Sequence, residues 1–186
     1  MSYSVPIVIE KHELHSTWPV YAQPESRQIV SNGLTLVVDR SNTCFAPGDR
    51  LTISATLKSD NLSPVVLRGF EFMLRQTIIY RGGPQSHSKK NGPLVQTSVI
   101  GEQKLPMSIT LYGATQQRAE LGCVVPGNQT TSSVNTGRHI DIGYSLNVKA
   151  IIDTAKPIVM DLPVTVTNWP RLVEHSAALG LYSSLF

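Results

Sequence analysis

Four residues that could bind an anion lie close together in one predicted loop. Arg81, His87, Lys89 and Lys90 occupy a segment punctuated by glycine and proline, directly after a long strand-like segment. Guanidinium and ammonium groups bind phosphate and carboxylate, and each basic residue contributes about 1 kcal/mol near an anionic membrane surface. We therefore predict a site for a phosphorylated protein tail or an anionic lipid headgroup. The alternative is a solvated loop that keeps the end of the sheet soluble.

Two further basic residues, Arg68 and Arg75, lie on the strand that leads into this loop. Strict strand alternation places them on opposite faces of the sheet, unless Gly69 introduces a bulge that shifts the register. They form a second candidate site for an anion or a protein partner. Pairing with carboxylates on a neighbouring strand, such as those of Glu71 or Asp141, is the alternative.

Residues that could support catalysis or bind a metal do not form a recognisable site. The segment 12–15 reads His-Glu-Leu-His, which lacks the spacing of a zinc protease motif and would need a further ligand. His139 and Asp141 share a strand face, but no serine or cysteine nucleophile accompanies them at a recognisable spacing. We therefore predict a protein that is not an enzyme and that carries neither a metal nor a cofactor.

The composition favours a β-sheet protein that does not bind nucleic acid. Of 186 residues, 41% are hydrophobic and only 16% are charged, which argues against disorder and long helices. The net charge of +3 is too small to indicate nucleic-acid binding. The chain offers no apolar run long enough to span a membrane and no basic stretch typical of a signal peptide at its start. Cys44 and Cys123 are therefore expected to be free thiols in a reducing compartment.

Alternating apolar and polar residues recur along most of the chain, and this is the pattern of half-buried strands. Between the first two, Pro47, Gly48 and Asp49 supply the residues of a tight turn. The pattern predicts an all-β, immunoglobulin-like antiparallel β-sandwich of about seven or eight strands. Pro163 implies an edge or terminal position in the last of them. The predicted strands cover 34–38, 51–57, 65–80, 95–100, 103–112, 119–125, 140–152 and 158–166.

Three segments together resemble the C-terminal lobe of arrestins. Phe-Ala-Pro-Gly-Asp at 45–49 resembles the opening of that lobe, and 139–148 resembles its later strand of alternating apolar residues. The segment 157–166 resembles its closing strand, and the likeness covers about 33–170. Segments 16–21, 67–72 and 168–170 are similar to the fungal branch of the family.

The resemblance implies a domain organisation. Residues 33–170 are expected to form the sandwich, 1–32 a connector, and 171–186 a C-terminal tail. The apolar segment 5–9 is similar to 162–166 and would be the last strand of a missing N-terminal lobe. The chain would then be a fragment or a short relative of a two-lobe protein.

The resemblance also implies a function. Fungal arrestin-related proteins are trafficking or signalling adaptors that bring ubiquitin ligases or endosomal-sorting factors to membrane-protein cargo. We therefore expect a cytoplasmic adaptor, peripheral at the plasma membrane or endosomes, that binds membrane-protein tails, phosphorylated ones included, or anionic lipid. The chain has no Pro-Pro pair, so the usual ligase-docking motif is missing and ligase or sorting machinery would bind through regions absent here. The alternative is a secreted sandwich that binds carbohydrate or mediates adhesion.

Overall fold

The computed structural model describes residues 19–81, 93–127, 131–135, 137–153 and 155–167. The predicted strand at 5–9, the tail at 171–186 and most of the basic loop lie outside these ranges. Within them the only helix is a three-residue 3-10 turn, Pro19–Tyr21, and the described part of the chain contains no helix that could cross a lipid bilayer.

Nine strands build the described part of the chain. They are β1 (Glu25–Ser31), β2 (Leu34–Arg40), β3 (Cys44–Phe45), β4 (Arg50–Ser59), β5 (Val65–Tyr80), β6 (Leu94–Leu111), β7 (Thr115–Val124), β8 (Ile140–Ile152) and β9 (Ile158–Val166).

The strands form two sheets, and these confirm the predicted all-β sandwich. One sheet has the order β1-β2-β4-β7, and the other has the order β3-β9-β8-β5-β6. Every pairing is antiparallel except that of β3 with β9, which is parallel and two residues long. Each sheet buries one face against the other, as the period-two patterns require.

The core consists of the inward-facing residues of both sheets. In β2 and β4 every second residue is buried, and in β5, β8 and β9 the same alternation supplies the opposite wall. Burying one such aliphatic or aromatic side chain stabilises the fold by about 1.5–3 kcal/mol. The largest fully buried side chains include Leu36, Leu51, Leu57, Leu67, Phe70, Phe72, Leu74, Leu121, Leu146 and Leu162.

The strand β1 lies inside the range 1–32 that was expected to be a connector. Its residues pair in register with β2, from Glu25 opposite Arg40 to Ser31 opposite Leu34. The sandwich therefore starts before residue 33. The sequence of β1 is mostly polar because the strand is an exposed edge with a neighbour on one side only.

The strand β6 is continuous where two short strands, 95–100 and 103–112, were predicted. A register irregularity falls opposite Leu74 and Arg75, whose partners are Gly101 and Val99. Gly101 is needed there for space, because a Cβ atom at this position would lie 2.6 Å from the Sγ atom of Cys123 on β7. Gly101 is therefore a point of close contact between the two sheets.

The predicted tight turn is confirmed. Gly48 has a φ of +85°, and the Asp49 amide donates to the Ala46 carbonyl oxygen at 3.0 Å, as in a type II turn with proline at its second position. The buried Asp49 carboxylate accepts a bond from the Ala46 amide at 2.8 Å. Val125 then exchanges backbone hydrogen bonds with Gly48 and Asp49, both at 2.9 Å. The turn thus fixes the start of β4 against the end of β7.

A buried arginine joins the two sheets along their other side. Arg40, at the end of β2, is only 6% exposed. Its Nη1 donates to the Pro163 carbonyl oxygen on β9 at 2.6 Å, and its Nε donates to the Glu25 carboxylate on β1 at 2.7 Å. Because β3 pairs only with Thr165 and Val166, Pro163 lies at an uncovered edge, as its residue type predicted.

We expect Arg40→Met to lower the free energy of unfolding by about 2–4 kcal/mol, since the Pro163 carbonyl loses its buried donor and Glu25 loses its partner. Urea denaturation measures this loss. Arg27→Met is the matched control, because Arg27 pairs with the same carboxylate from a side chain that is 51% exposed. Its cost is expected to stay within roughly 0.5 kcal/mol. Equal losses in the two variants would contradict the role given to Arg40.

The same ion pair makes part of the stability depend on pH. The hydrogen bond from Arg40 holds the pKa of Glu25 below its usual value, with smaller contributions from Arg27. A lowered carboxyl pKa stabilises the fold fully above the pKa of the unfolded chain, and this contribution disappears as pH falls through the folded value. The stability difference between the wild type and Glu25→Gln should therefore shrink on acidification in urea titrations. A difference that stays constant with pH would refute this.

Candidate anion- and partner-binding site

Both candidate arginines of β5 lie on the outward face of the five-stranded sheet. A bulge at Gly69 shifts the register against β6 and β8, so that Leu67 before it and Phe70 after it both face the core. Arg68 and Arg75 consequently point the same way. Gly69 has a φ of +153°, and a Cβ atom there would lie 2.5 Å from the Leu105 carbonyl oxygen. The glycine is therefore required by the bulge that places both arginines on one face.

Arg68 already has an acidic partner. Its Nε donates to the Asp153 carboxylate at 2.8 Å, and both side chains are exposed. This hydrogen bond raises the pKa of Arg68 and lowers the pKa of Asp153 from their usual values. Arg68 is therefore engaged at the edge of the candidate site.

Arg81, at the end of β5, is also paired. Its guanidinium contacts the Asp141 carboxylate on β8, and its backbone amide donates to the His139 carbonyl oxygen at 2.7 Å. Farther along the same face, Glu71 pairs with Lys149 at 3.6 Å. The two carboxylates expected to pair with Arg68 or Arg75 thus have other partners.

Arg75, like Lys104 on β6, is a cation of this face without an ion-pair partner among the described residues. Within the described residues it makes no ion pair and no side-chain hydrogen bond, although it is half-buried. Ser145 on β8 lies opposite it on one side and Val99 on β6 on the other. Met73 and Thr77 flank it along β5. An arginine carries five N–H donors, so it can bind a carboxylate or phosphate in a bidentate way.

Open space lies beside Arg75. Gly143 on β8 pairs with Thr77, the next residue along this face of β5. No atom of the described residues lies within 4 Å of a Cβ atom built at Gly143. Because glycine has no Cβ atom, a shallow gap remains between the side chains of this face at Gly143, and backbone atoms form the bottom of the gap. A ligand group could therefore approach the sheet closely next to the guanidinium.

Two oxygen atoms on this face are buried and accept no hydrogen bond from the described residues, namely Oδ1 of Asp141 and Oδ1 of Asn147. The Nδ2 atom of Asn147 donates to Asp161 on β9 at 2.8 Å. Buried acceptors without a donor are rare in native proteins, and water or a bound partner commonly completes them. The face thus combines unsatisfied acceptors with an unpaired cation.

The other predicted site residues, His87, Lys89 and Lys90, lie outside the described residues. Arg68, Arg75 and Arg81 share or adjoin one face but are spread along β5 with about 20 Å between successive arginines, so they do not form one cluster. Of these three, Arg75 is the one without a partner among the described residues. Sequence reasoning did not find Gly143, Ser145 or Asn147. Alternation along β8 predicts that these three residues share one face of the strand. Only the register of β8 against β5 shows that this face lies next to Arg75.

The described residues contain no arrangement typical of a catalytic or metal site. No three His, Cys, Asp or Glu side chains among them are grouped to hold a metal ion. A shallow cavity of about 350 Å³ on the four-stranded sheet is lined by Asp39, Ser54, Arg118 and Glu120, among others. Arg118 donates to Ser54 Oγ there at 2.6 Å. Burial raises the pKa of the half-buried Cys123 thiol, which disfavours its reactive thiolate.

The fold defines the class of protein: an all-β domain of two packed antiparallel sheets. Residues 31–171 match the family described as arrestin (or S-antigen), C-terminal domain. The chain therefore belongs to the arrestin family, whose domains are generally non-enzymatic and bind protein partners.

Comparison with solved structures supports the fold. One similar structure is the sporulation control protein Spo0M from Bacillus subtilis, with a TM-score of 0.58 at 10% sequence identity. The match covers 74% of this chain and 50% of the Spo0M chain, so this chain spans half the length of that relative. No curated protein matches the sequence.

We expect Arg75→Gln to leave the free energy of unfolding within about 0.5 kcal/mol of the wild type, or to raise it. The substitution breaks no ion pair and relieves the desolvation of a half-buried cation. Urea denaturation of the Arg75→Gln and Arg40→Met variants, measured side by side with the wild type, tests this expectation. A loss of more than about 2 kcal/mol would show that Arg75 is a structural residue and not a binding residue.

Proposed function

We propose that this domain is a non-catalytic adaptor that binds an extended, acidic or phosphorylated segment of a membrane protein's cytoplasmic tail. The proposal rests on Arg75, a half-buried residue without a partner among the described residues. On the same face Arg68, Arg81 and Lys149 are paired, and Lys104, which is also unpaired among the described residues, is exposed. A cation held in a partly desolvated position binds an anion more strongly than one exposed to water.

The surroundings of Arg75 favour a peptide over a free anion. The gap above Gly143 admits a group close to the backbone of the sheet. A peptide carries both an anionic side chain for the arginine and further atoms that can fill this gap. A free phosphate has no further group to place there.

The basic loop extends the proposed site. His87, Lys89 and Lys90 follow Arg81 in sequence. Arg81 comes directly after β5, at the end of the strand that is nearer to Arg75. We infer that the loop contacts further acidic residues of the same tail. Such contacts are sensitive to salt and add mainly to the rate of association.

Family membership supports the wider role. Arrestin-type adaptors bind protein partners, and we infer that this one acts in membrane-protein trafficking or signalling at the cytoplasmic side of the plasma membrane or endosomes. Ubiquitin-ligase or endosomal-sorting machinery would join through regions that this chain lacks. The segments at 67–72 and 168–170 support a place in the fungal branch.

The test is fluorescence anisotropy of the full chain with a labelled peptide carrying several phosphoserines, beside its unphosphorylated copy. We expect the phosphorylated peptide to bind more tightly, and Arg75→Gln to weaken its binding by about tenfold, the equivalent of one charge-assisted pair. Gly143→Val should also weaken binding by filling the gap, while a β-branched residue suits the strand. Arg68→Gln is the matched control and should change little.

Two further arms separate the contributions of the loop and of lipid. The triple variant His87→Gln, Lys89→Gln, Lys90→Gln should reduce the salt dependence of peptide binding while leaving the effect of Arg75→Gln in place. Vesicles with and without phosphatidylserine measure lipid binding directly. Absence of peptide binding at low salt would refute the proposal, as would equal effects of the Arg75 and Arg68 variants, or binding to anionic vesicles alone.

A further inference from the structure

The outer half of β6 is an exposed edge without charged residues. Residues 94–99 pair in regular register with β5 on one side, from Tyr80 opposite Leu94 to Arg75 opposite Val99. Among the described residues, no strand pairs with the other side of β6. Leu94, Val95 and Val99 are 68%, 54% and 51% exposed. The segment reads Leu-Val-Gln-Thr-Ser-Val-Ile to residue 100 and contains neither a charge nor a proline.

The other edges of the described sheets are protected. The edge strand β1 carries Glu25 and Arg27, and β3 is only two residues long. The edge of β7 adjoins the inner half of β6, where the Gly122 amide donates to the Gln103 side chain at 2.7 Å. Natural proteins protect sheet edges with charges, short strands or covering groups, and an unprotected edge is a template for another strand. The outer half of β6 lacks each of these protections.

The sequence of this edge is self-complementary. In an antiparallel pairing of two copies centred on Thr97, Thr97 faces itself and Val95 faces Val99. Gln96 then faces Ser98, and Leu94 faces Ile100. Apolar residues meet apolar ones and polar residues meet polar ones on both faces, and no like charges are brought together. Cross-strand pairs of β-branched residues and of threonines stabilise such ladders.

We propose that the domain forms a two-fold symmetric homodimer through antiparallel pairing of the outer half of β6, centred on Thr97. The dimer joins the two five-stranded sheets into one continuous sheet, and its symmetry is that of an isologous interface. The outward faces that carry Arg75 in the two copies then form one continuous surface, because Val95, Thr97 and Val99 share the outward face with Arg75. This inference depends on the edge alone and stands independently of the function of Arg75.

The decisive experiment exchanges charges across the proposed two-fold axis. In sedimentation equilibrium of the full chain from low micromolar to submillimolar concentration, the wild type should show a reversible monomer–dimer equilibrium. Thr97→Lys places two ammonium groups opposite each other and should weaken the dimer by at least about tenfold. Val95→Lys alone and Val99→Glu alone should also weaken it. The double variant Val95→Lys, Val99→Glu should restore it, since each lysine then faces the glutamate of the other copy.

Disulfide trapping tests the register through geometry alone. Thr97→Cys places two thiols opposite each other at a spacing that a disulfide can bridge, so mild oxidation should yield a covalent dimer. Gln28→Cys on the exposed edge strand β1 is the matched control and should remain monomeric on denaturing gels. The wild type, with Cys44 and Cys123, gives the background. Circular dichroism and thermal unfolding confirm that each variant is folded.

Three results would overturn the proposal. The first is a wild-type chain that stays monomeric over the whole concentration range, including a monomer whose edge binds only a foreign extended peptide. The second is a dimer that Thr97→Lys leaves unchanged. The third is a double variant of Val95 and Val99 that is folded but no more dimeric than either single variant.

Discussion

The buried guanidinium of Arg40 is the interaction on which the shape of the sandwich depends. Along the β6–β7 side, the sheets are joined by a short connection and a close approach at Gly101. Along the opposite side, no ladder of the described strands joins them, and Arg40 donates from one sheet to the Pro163 carbonyl of the other. It also binds the Glu25 carboxylate and so positions the edge strand β1. A buried charge is tolerated because its hydrogen bonds are satisfied.

Arg40 and Arg75 show how the same side chain serves opposite purposes in one fold. The first is nearly inaccessible and has two acceptors, so its loss destabilises the protein. The second is half-buried and has no acceptor among the described residues, so the fold gains little from keeping it. A charged residue that loses solvation free energy on burial without forming a bond is typical of binding positions, where a less stable fold accompanies a functional side chain.

The sequence predicted the parts of this fold in which alternation reports burial. The bounds of β5, β8 and β9 and the turn at Gly48 are confirmed. It missed β1, because an exposed edge strand carries no apolar stripe. It divided β6 between 100 and 103, where the strand is continuous but its register against β5 is irregular.

The candidate site was predictable only in part, because ion pairs depend on register and not on residue type. Arg68 and Arg81 were named as candidate cations, but they lie near opposite ends of the long strand β5, and each is paired with an aspartate from β8 or just beyond it. Arg75 was also named, but the sequence does not give the cross-strand register that leaves it without a partner among the described residues. The gap at Gly143 became visible only once β8 was aligned with β5.

The parallel pairing of β3 with β9 has a consequence for synthesis on the ribosome. The four-stranded sheet is complete once β7 has emerged from the ribosome, but the five-stranded sheet also needs β8 and β9. Cys44 in β3 therefore has no strand partner until Thr165 in β9 has been synthesised. Until then Arg40 has no carbonyl to bind in the second sheet, and one edge of β5 has no partner strand. Such long-range pairings slow folding and expose aggregation-prone strands. The nascent chain therefore passes through a half-built state whose exposed strands are natural targets for chaperones.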